Sequence, residues 1–327
     1  MTMLETDRGT VTPDNVGTEL NTQRASSVQA NQNAPARETI CAVIVTRNPD
    51  GDLLSRTQKV IPQVAHIAVV DNGSTESGVG RLQQLVDNQD VHIILNYRNE
   101  GVARALNQGA EWAAQQGYRW ILSLDQDTVV ASDLVDSLTA AYHAFPKQSS
   151  LAVIGSNYTS SVNGKPAAAN QDGNSSWGAE VTAVITSGSL VSLQAFHEIG
   201  GFREEFFVDC VDLEYCLRAR SQGFHIVMTS KPLMQHSIGN LIEHRLPWKT
   251  TGASNHSPWR QYFMTRNTLI LAGEYLGSEP RWVLTTLCSR LKSLLLICLF
   301  EKKRFNKLAY CLLGALDGIR GKTDRFA

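Results

Sequence analysis

Trp120-Ile121-Leu122-Ser123-Leu124-Asp125-Gln126-Asp127-Thr128 passes from an apolar run straight into two carboxylates. The apolar part, 120–124, reads as a buried strand. It delivers Asp125 and Asp127 to the edge of a sheet and to one side of it, because residues i and i+2 of a strand share a face. Two like charges set side by side repel, and a divalent cation resolves that conflict. Hard cations such as magnesium take oxygen ligands, commonly one or two carboxylates together with substrate phosphates. A strand end followed by a polar turn is the other reading of the same residues.

The segments before this one alternate. Residues 40–46 (Ile-Cys-Ala-Val-Ile-Val-Thr) form an unbroken apolar run, as expected of a parallel strand buried on both faces. Turn residues Thr46-Arg47-Asn48-Pro49-Asp50-Gly51 end it. A helix is predicted over 53–60, closed by Pro62. A strand over 66–70 then runs into Asp71-Asn72-Gly73-Ser74-Thr75. A helix at 81–88 and a strand at 91–95 follow, the strand leading into Asn96-Tyr97-Arg98-Asn99-Glu100-Gly101. The spacing of Val102, Leu106, Ala110, Ala113 and Ala114 predicts a helix over 102–116, stopped by Gly117. Strand–helix alternation of this kind predicts an α/β fold with a doubly wound sheet, in which ligands bind beyond the carboxyl ends of the strands. The polar clusters 46–48, 71–74 and 125–127 should therefore meet in one crevice. The glycine fingerprints of dinucleotide-binding and P-loop proteins are absent. Asp71 either accepts from a base or ribose, or closes an Asx-turn on the Asn-Gly corner.

The second half is less regular. A strand is predicted at 151–154, then a polar loop to 176. Trp177 and the segment 181–186 lead into Ser187-Gly188-Ser189, and the turn Ile199-Gly200-Gly201-Phe202 comes before Asp209 and Asp212. A helix starting at Val211 places Asp212 in its first turn, where the helix dipole favours a charged carboxylate. That residue is either a cap or a catalytic base. A strand at 224–228 and a loop at 232–239 carrying His236 follow.

With 327 residues, 43% hydrophobic and 19% charged, the chain suits one large or two small globular domains. A net charge of −1 gives no signal for nucleic acid. From Arg281 onward, however, ten Lys/Arg face three Asp/Glu, a basic tail that suits an anionic surface. Six cysteines without C-x-x-C spacing read as reduced core residues of a cytosolic protein, with no disulfide framework and no zinc site. No secretory signal is expected. Residues 1–38, poor in bulky apolar side chains, read as a disordered tail. No apolar run reaches the roughly 18 residues that suggest a membrane span, 294–300 being the nearest approach. Residues 282–300 read as a basic, apolar helix. It either lies in a membrane interface or packs on the domain or on a second copy.

Thr46-x-Asn48, Val69-Val70-Asp71-Asn72-Gly73-Ser74, Asn99-x-Gly101-x-Ala103-x-Ala105-x-Asn107-x-Gly109, Leu124-Asp125-x-Asp127, Ser187-Gly188-Ser189, Gly200-Gly201-Phe202 and Asp212-x-Glu214 with Arg218 occur in this order. Together they resemble the family-2 glycosyltransferases of GT-A fold, over about 40–267. Segments 125–127, 207–218 and 262–267 resemble their bacterial rhamnosyltransferase branch. The resemblance implies a mixed, mostly parallel sheet flanked by helices. It divides the chain into a tail (1–38), a GT-A domain (39–270) and a C-terminal helical extension (271–327) that makes a membrane-surface or dimer contact.

The resemblance also implies an inverting, metal-dependent transfer with Mg2+ or Mn2+. L-rhamnose from dTDP-L-rhamnose, or a hexose from a UDP donor, would move to a saccharide acceptor, lipid-linked, in bacterial cell-surface polysaccharide synthesis. The setting would be cytoplasmic, peripheral on the inner face of the plasma membrane. Thr46, Asn48, Asp71, Gly73, Asn99, Gly101 and Asp125 would line the nucleotide site. Asp125, Asp127 and His236 would hold the metal. Asp212 would be the general base; Val211 replaces the Glu that usually precedes it, and Asp209 is the alternative. Ser187, Gly188, Arg218 and Arg266 would lie toward acceptor or phosphate, with a helix-surface ion pair as the other reading of Arg218. Trp177 would stack on an acceptor sugar or simply pack. A sugar nucleotidyltransferase would need a glycine-rich loop where Thr46-Arg47-Asn48-Pro49-Asp50 stands. A catalytically silent nucleotide-sugar-binding module would not need Asp125, Asp127 and Asp212 intact.

Overall fold

Strand β1 (Ile40–Thr46) is buried along its whole length, because parallel neighbours cover both its edges. These are β2 (His66–Asn72) and β4 (Trp120–Asp125). In the computed structural model, the described residues are 33–86, 89–160, 177–236, 242–246, 249–253 and 255–325. Pro35–Ala327 form one unit, and most of the expected disordered tail lies outside the described residues.

Beyond β2 lies β3 (Val91–Asn96), also parallel. On the other side of β4 come β8 (Ser189–Ser192), β6 (Leu151–Ser160), β9 (His225–His236) and β5 (Val129–Val130). The short β7 (Ala179–Glu180) also pairs with β9. β8 is antiparallel to β4 and β6, whereas β6 and β9 are parallel. The expected mixed α/β sheet is therefore present, all-parallel in its first half. A separate hairpin joins β10 (Ile242–Leu246) and β11 (Lys249–Ala253).

Helix α1 (Leu53–Val60) starts and ends where predicted. Helix α2 (Glu76–Val86) starts five residues earlier than predicted, because Gly78 and Gly80 hide its apolar face from a periodicity reading. Helix α3 (Val102–Gln115) packs on β1 and β2 through small residues, Ala103, Ala105, Ala110 and Ala113. At Gly109 the contact is closest: a Cβ there would stand 2.4 Å from Val43 Cγ1. Helix α4 (Leu134–Ala144), which packs on β6 and β9, and the short α5 (Leu193–Ile199) were not anticipated. Helix α6 (Val211–Ser221) follows the two candidate bases.

Two expectations are corrected. Residues 232–236 are not a loop but the end of β9. Pro232 is accommodated beside Asn157, where the register with β6 shifts, the kind of irregularity at which a sheet tolerates proline. The C-terminal apolar segment is also longer than a count of uninterrupted residues suggests. Helix α8 (Pro280–Phe300) has 21 residues and is long and apolar enough to cross a membrane by length and composition, with 11% of its apolar window buried. Lys292 and Ser293 interrupt the apolar run, while Arg290, just before them, is turned inward.

Helix α7 (Pro258–Tyr275) carries the last helices. Arg290 NH2 donates to the Gln261 carbonyl (3.2 Å), Gln261 Oε1 (2.7 Å) and Thr265 Oγ1 (2.6 Å). Helix α9 (Arg304–Ile319) lays Gly314 and Gly318 directly on the backbone at Tyr262 and Arg266, while Tyr262 OH donates to Asp317 Oδ2 at 2.9 Å. The outer faces are left apolar: Leu284, Leu291, Leu295 and Leu299 of α8 and Phe305, Leu312, Leu316 and Ile319 of α9 are all exposed. Cys288 and Cys298 are exposed too, so the cysteines, all free, are not uniformly core residues.

Substituting Gly109→Val should drive a branched side chain into Val43 and cost about 3 kcal/mol, since overpacking outweighs any small gain in helix propensity. Urea unfolding should show the midpoint fall at constant slope. A midpoint like that of Gly51→Val, at a glycine with nothing within 4 Å of its added Cβ, would mean α3 is not seated on β1 in this way.

Candidate active site

The register of three parallel strands brings the first cluster together. Thr46 lies opposite Asp71, and Val45 opposite Asp125, so all three carboxyl ends open on one edge. Asp71 is almost fully covered, at 1% exposure. Its carboxylate accepts from Thr46 Oγ1 (3.1 Å), Ser74 N (2.9 Å) and Ser74 Oγ. These bonds close a turn, as in the Asx alternative. Asn48 N donates to Ser74 Oγ (2.6 Å), while Asn48 Oδ1 accepts from Thr75 N (2.8 Å). The loops after β1 and β2 are thus clipped to each other. Asn72 extends the lattice, donating to Asn99 Oδ1 (3.0 Å) and the Gly101 carbonyl (2.9 Å). Gly73 sits in the same corner at φ 76°. Gly101 has φ 88°, and a Cβ on it would meet the Phe207 carbonyl at 2.8 Å. Only glycine allows that approach, which lets Val102 N donate to Phe207 O at 2.6 Å.

The carboxylate turn follows β4. The strand ends at Asp125, and Asp127 lies in the turn beyond it rather than on the strand. The expected i, i+2 alternation therefore does not place it. The turn closes through Thr128 N to the Asp125 carbonyl (3.2 Å). Arg47 N donates to Gln126 Oε1 (2.8 Å), tying the turn to the loop after β1. Ser187 works from beneath: its hydroxyl accepts from Asp125 N (3.1 Å) and bonds Thr128 Oγ1 (2.6 Å). Gly188 N donates to the Ser123 carbonyl (2.8 Å). Ser187 and Gly188 thus support the turn. Asp127 is exposed, and among the described residues its carboxylate makes no hydrogen bond or ion pair.

A pair of oxygen-donor carboxylates on one turn, one of them uncommitted, fits a hard divalent cation that draws its remaining ligands from substrate and water. Among the described residues no three His, Cys, Asp or Glu side chains cluster as a ready-made metal cage. The side chain of His236, the expected third ligand, lies outside the described residues.

The third part is the loop entering α6. Phe207, Asp209 and Cys210 all have φ near +62° (61°, 62° and 62°), a sparsely populated conformation for non-glycine residues that is strained unless its surroundings hold it. The surroundings do. Asn267 Nδ2 reaches the carbonyls of Phe206 (2.9 Å), Val208 (3.0 Å) and Asp209 (2.8 Å). Arg266, with no exposed surface, donates to the carbonyls of Glu205, Phe206 and Thr323 and to Asn267 Oδ1. Both ends of its fork and its Nε are engaged within the protein, so it positions the loop. Arg218 is spent in the same way, on both oxygens of Glu214 and on the carbonyls of Ile199, Gly200 and Gly201. Trp177 packs edge-on against Phe145, with centroids 5.0 Å apart.

Beyond this loop stands Asp212, half-buried in the first turn of α6, with Leu213 N donating to its Oδ1 at 2.8 Å. Burial pushes its pKa up to about 6. The Leu213 N–H opposes the rise, and the negative charges of Asp209 and Asp125 add to it. An apolar pocket lined by Val184, Phe202, Tyr215 and Cys216 backs the carboxylate and accounts for the desolvation. Asp209 is engaged differently: Arg260, from the first turn of α7, donates to both its oxygens (2.9 and 2.8 Å). Tyr158, on β6, feels the charge of Asp212. Arg260, Asn267 and Tyr158 had not been assigned these roles from sequence. Ser257-Pro258 marks the helix start that carries Arg260, but its pairing across 51 residues leaves no local trace.

With this geometry in view, comparison with known proteins is specific. The glycosyl transferase family 2 profile matches residues 41–200. The dTDP-rhamnosyl transferase RfbF of Shigella flexneri is 29% identical, over 87% of this chain and 96% of its own length. The low-salt glycan biosynthesis hexosyltransferase Agl10 of Haloferax volcanii is 23% identical, over 88% and 93%. Among solved structures, S. aureus TarS (residues 1–349) superposes with a TM-score of 0.57 at 12% identity, over 86% of this chain and 81% of that one. The mannosyltransferase PcManGT of Pyrobaculum calidifontis, in complex with GDP-Man and Mn2+, superposes with 0.53 at 12% identity, over 94% and 97%. The shared fold, the family profile over residues 41–200 and the relatives aligned along nearly their whole length agree: residues 41–200 carry a glycosyl transferase family 2 domain, within a chain similar to glycosyltransferases along most of its length.

Proposed function

We propose that the protein transfers L-rhamnose from dTDP-L-rhamnose to a saccharide acceptor with inversion at the anomeric carbon. The observation that carries the mechanism is a desolvated carboxylate, Asp212, that feels the negative charge of Asp125 at the start of the carboxylate turn. The RfbF relative supports the choice of sugar and nucleotide.

In this reading the loops at 46–48, 71–75 and 99–101 receive the nucleotide, with Asp71 shaping the turn beside the base. Asp125 and Asp127, with His236 as the expected third ligand, would hold a divalent ion, which would stabilise negative charge on the departing diphosphate. Metal use is supported by the Mn2+ present in the PcManGT complex and by the two carboxylates of the turn. Asp212 takes the proton from the acceptor hydroxyl as that oxygen bonds to the anomeric carbon and the sugar–phosphate bond breaks. One base acting without a covalent intermediate gives inversion. Asp209 is poorly placed for that task, because both its oxygens already accept from Arg260.

The acceptor is lipid-linked and the protein works at the inner face of the plasma membrane. One face of α8, formed by Val283, Arg290 and Ile297, is buried against the protein, and its opposite face is apolar and exposed. Lys302, Lys303 and Arg304 follow immediately. Such a helix lies in the interface, its basic flank on anionic headgroups.

Four outcomes are expected. Release of dTDP from dTDP-L-rhamnose in the presence of acceptor should require Mg2+ or Mn2+ and stop on chelation; release from a UDP-hexose instead would discard the rhamnosyl assignment. Asp212→Asn should lower kcat by about 10²–10⁴-fold with dTDP affinity kept. The wild-type kcat/KM should fall as pH drops through about 6, because the base works only when deprotonated. If Asp209→Asn lost turnover while Asp212→Asn retained it, the base would be Asp209. Vesicles containing anionic lipid should sediment the protein at low salt, and Leu291→Glu with Leu295→Glu should abolish this. Equal sedimentation with neutral vesicles at high salt would rule out the electrostatic part.

A further inference from the structure

Arg260 differs from the other arginines around the crevice. Arg218 and Arg266 have their forks closed by fixed carbonyls and, for Arg218, by Glu214. Arg260 is held by a single side chain, Asp209, and its own side chain remains 41% exposed. Among the described residues its NH1 makes no hydrogen bond. The negative charge of Asp125, at the end of β4, also favours its charged form, as does that of Asp209, against the effect of burial. The guanidinium is paired to the strained loop and within electrostatic reach of the carboxylate turn, at which the proposed reading places the diphosphate.

The pair with Asp209 is not needed to shape the loop. Asn267 and Arg266 already satisfy the carbonyls of Glu205, Phe206, Val208 and Asp209, and Val102 N that of Phe207. The pair is open to solvent on the arginine side, at 41% exposure against 14% for Asp209, and a guanidinium fork matches phosphate oxygens in the same charge-assisted, bidentate way as it matches a carboxylate.

We infer that Arg260 is the cation that receives the donor's diphosphate, exchanging Asp209 for phosphate oxygens as the donor enters. The inference rests on the glycosyltransferase reading and adds a catalytic residue to it. As the sugar–phosphate bond breaks, the electron pair passes to the nucleoside diphosphate, and Arg260 stabilises that charge. The acceptor's proton goes to Asp212. Asp209 is the resting counter-ion, which keeps Arg260 from collapsing onto Asp125 before the donor arrives.

Calorimetric titration of the full chain with dTDP and with thymidine, with Mg2+ present and absent, tests this. Arg260→Gln should weaken dTDP about tenfold or more and leave thymidine unchanged. Asp209→Asn should bind dTDP as tightly as wild type or tighter, having lost the competing anion. The double variant should follow Arg260→Gln. In turnover, Arg260→Lys should recover part of the kcat lost in Arg260→Gln, and thermal unfolding should show both variants folded. Equal dTDP affinity in wild type and Arg260→Gln would overturn the inference alone. So would an Asp209→Asn variant as impaired as Arg260→Gln, which would make the pair a structural strap. Failure of the wild type to bind dTDP, UDP or GDP would remove the inference and the glycosyltransferase reading together.

Discussion

Three residues with left-handed backbone precede α6, and everything on the acceptor side depends on how they are held. Each non-glycine residue in that region costs roughly 1–3 kcal/mol, so the segment from Phe207 to Cys210 does not persist alone. The carbonyls of Val208 and Asp209 are not taken up by helix or strand backbone. Helix α7 holds the segment through side chains: Asn267 binds the carbonyls of Phe206, Val208 and Asp209, and Arg266 those of Glu205 and Phe206. Hydrogen bonds return about 0.5–1.5 kcal/mol each, more from charged donors, which is the scale needed to offset the strain. The same loop meets the nucleotide half through Phe207 and Gly101. A displacement of α7 would therefore be felt at the base and at the nucleotide loop together.

The two carboxylates beyond this loop show how position alone separates tasks. Asp209 and Asp212 are three residues apart, yet one is matched by a guanidinium and the other is backed by Val184, Phe202 and Tyr215. Environments that push neighbouring titratable groups apart are the usual basis of acid and base assignments. Here desolvation dominates at Asp212, and the like charges of Asp209 and Asp125 reinforce it. A carboxylate raised to about 6 remains ionised at neutral pH and is a better proton acceptor than one at its ordinary value.

The parallel half of the fold was legible because its signals are local. An unbroken Ile40–Thr46 run needs cover on both edges, and a polar cluster after each strand follows from where such sheets bind ligands. Asp125 and Asp71 could be placed at one edge on that rule alone. What was not legible depends on contacts distant in sequence. Asp127 leaves the strand because Thr128 and Ser187 close a turn beneath it. Ser187 and Gly188 look like binding residues but support that turn. Arg266 and Arg218 look like phosphate ligands, yet their forks are filled by carbonyls that no spacing rule reveals. Pro232 reads as a strand breaker, and only the irregular register with β6 accommodates it.

The C-terminal helices pose the sharpest conflict between composition and packing. By length and apolarity α8 is able to cross a bilayer. Its inward face decides otherwise: Val283, Arg290 and Ile297, seven residues apart, are buried, with Arg290 bonded to Gln261 and Thr265. Withdrawing α8 to span a membrane would break those bonds and carry a guanidinium into hydrocarbon, which costs about 2.5–3.5 kcal/mol even on the mildest scale. In the proposed membrane attachment, lying flat would keep Arg290 inside the protein and leave the exposed leucines for the acyl region. The apolar face of α8 and α9 is built on α7, the same helix that clamps the loop before Asp212 and carries Arg260. Attachment through these helices would hold that loop at a set height above the headgroups, within reach of the proposed lipid-linked acceptor.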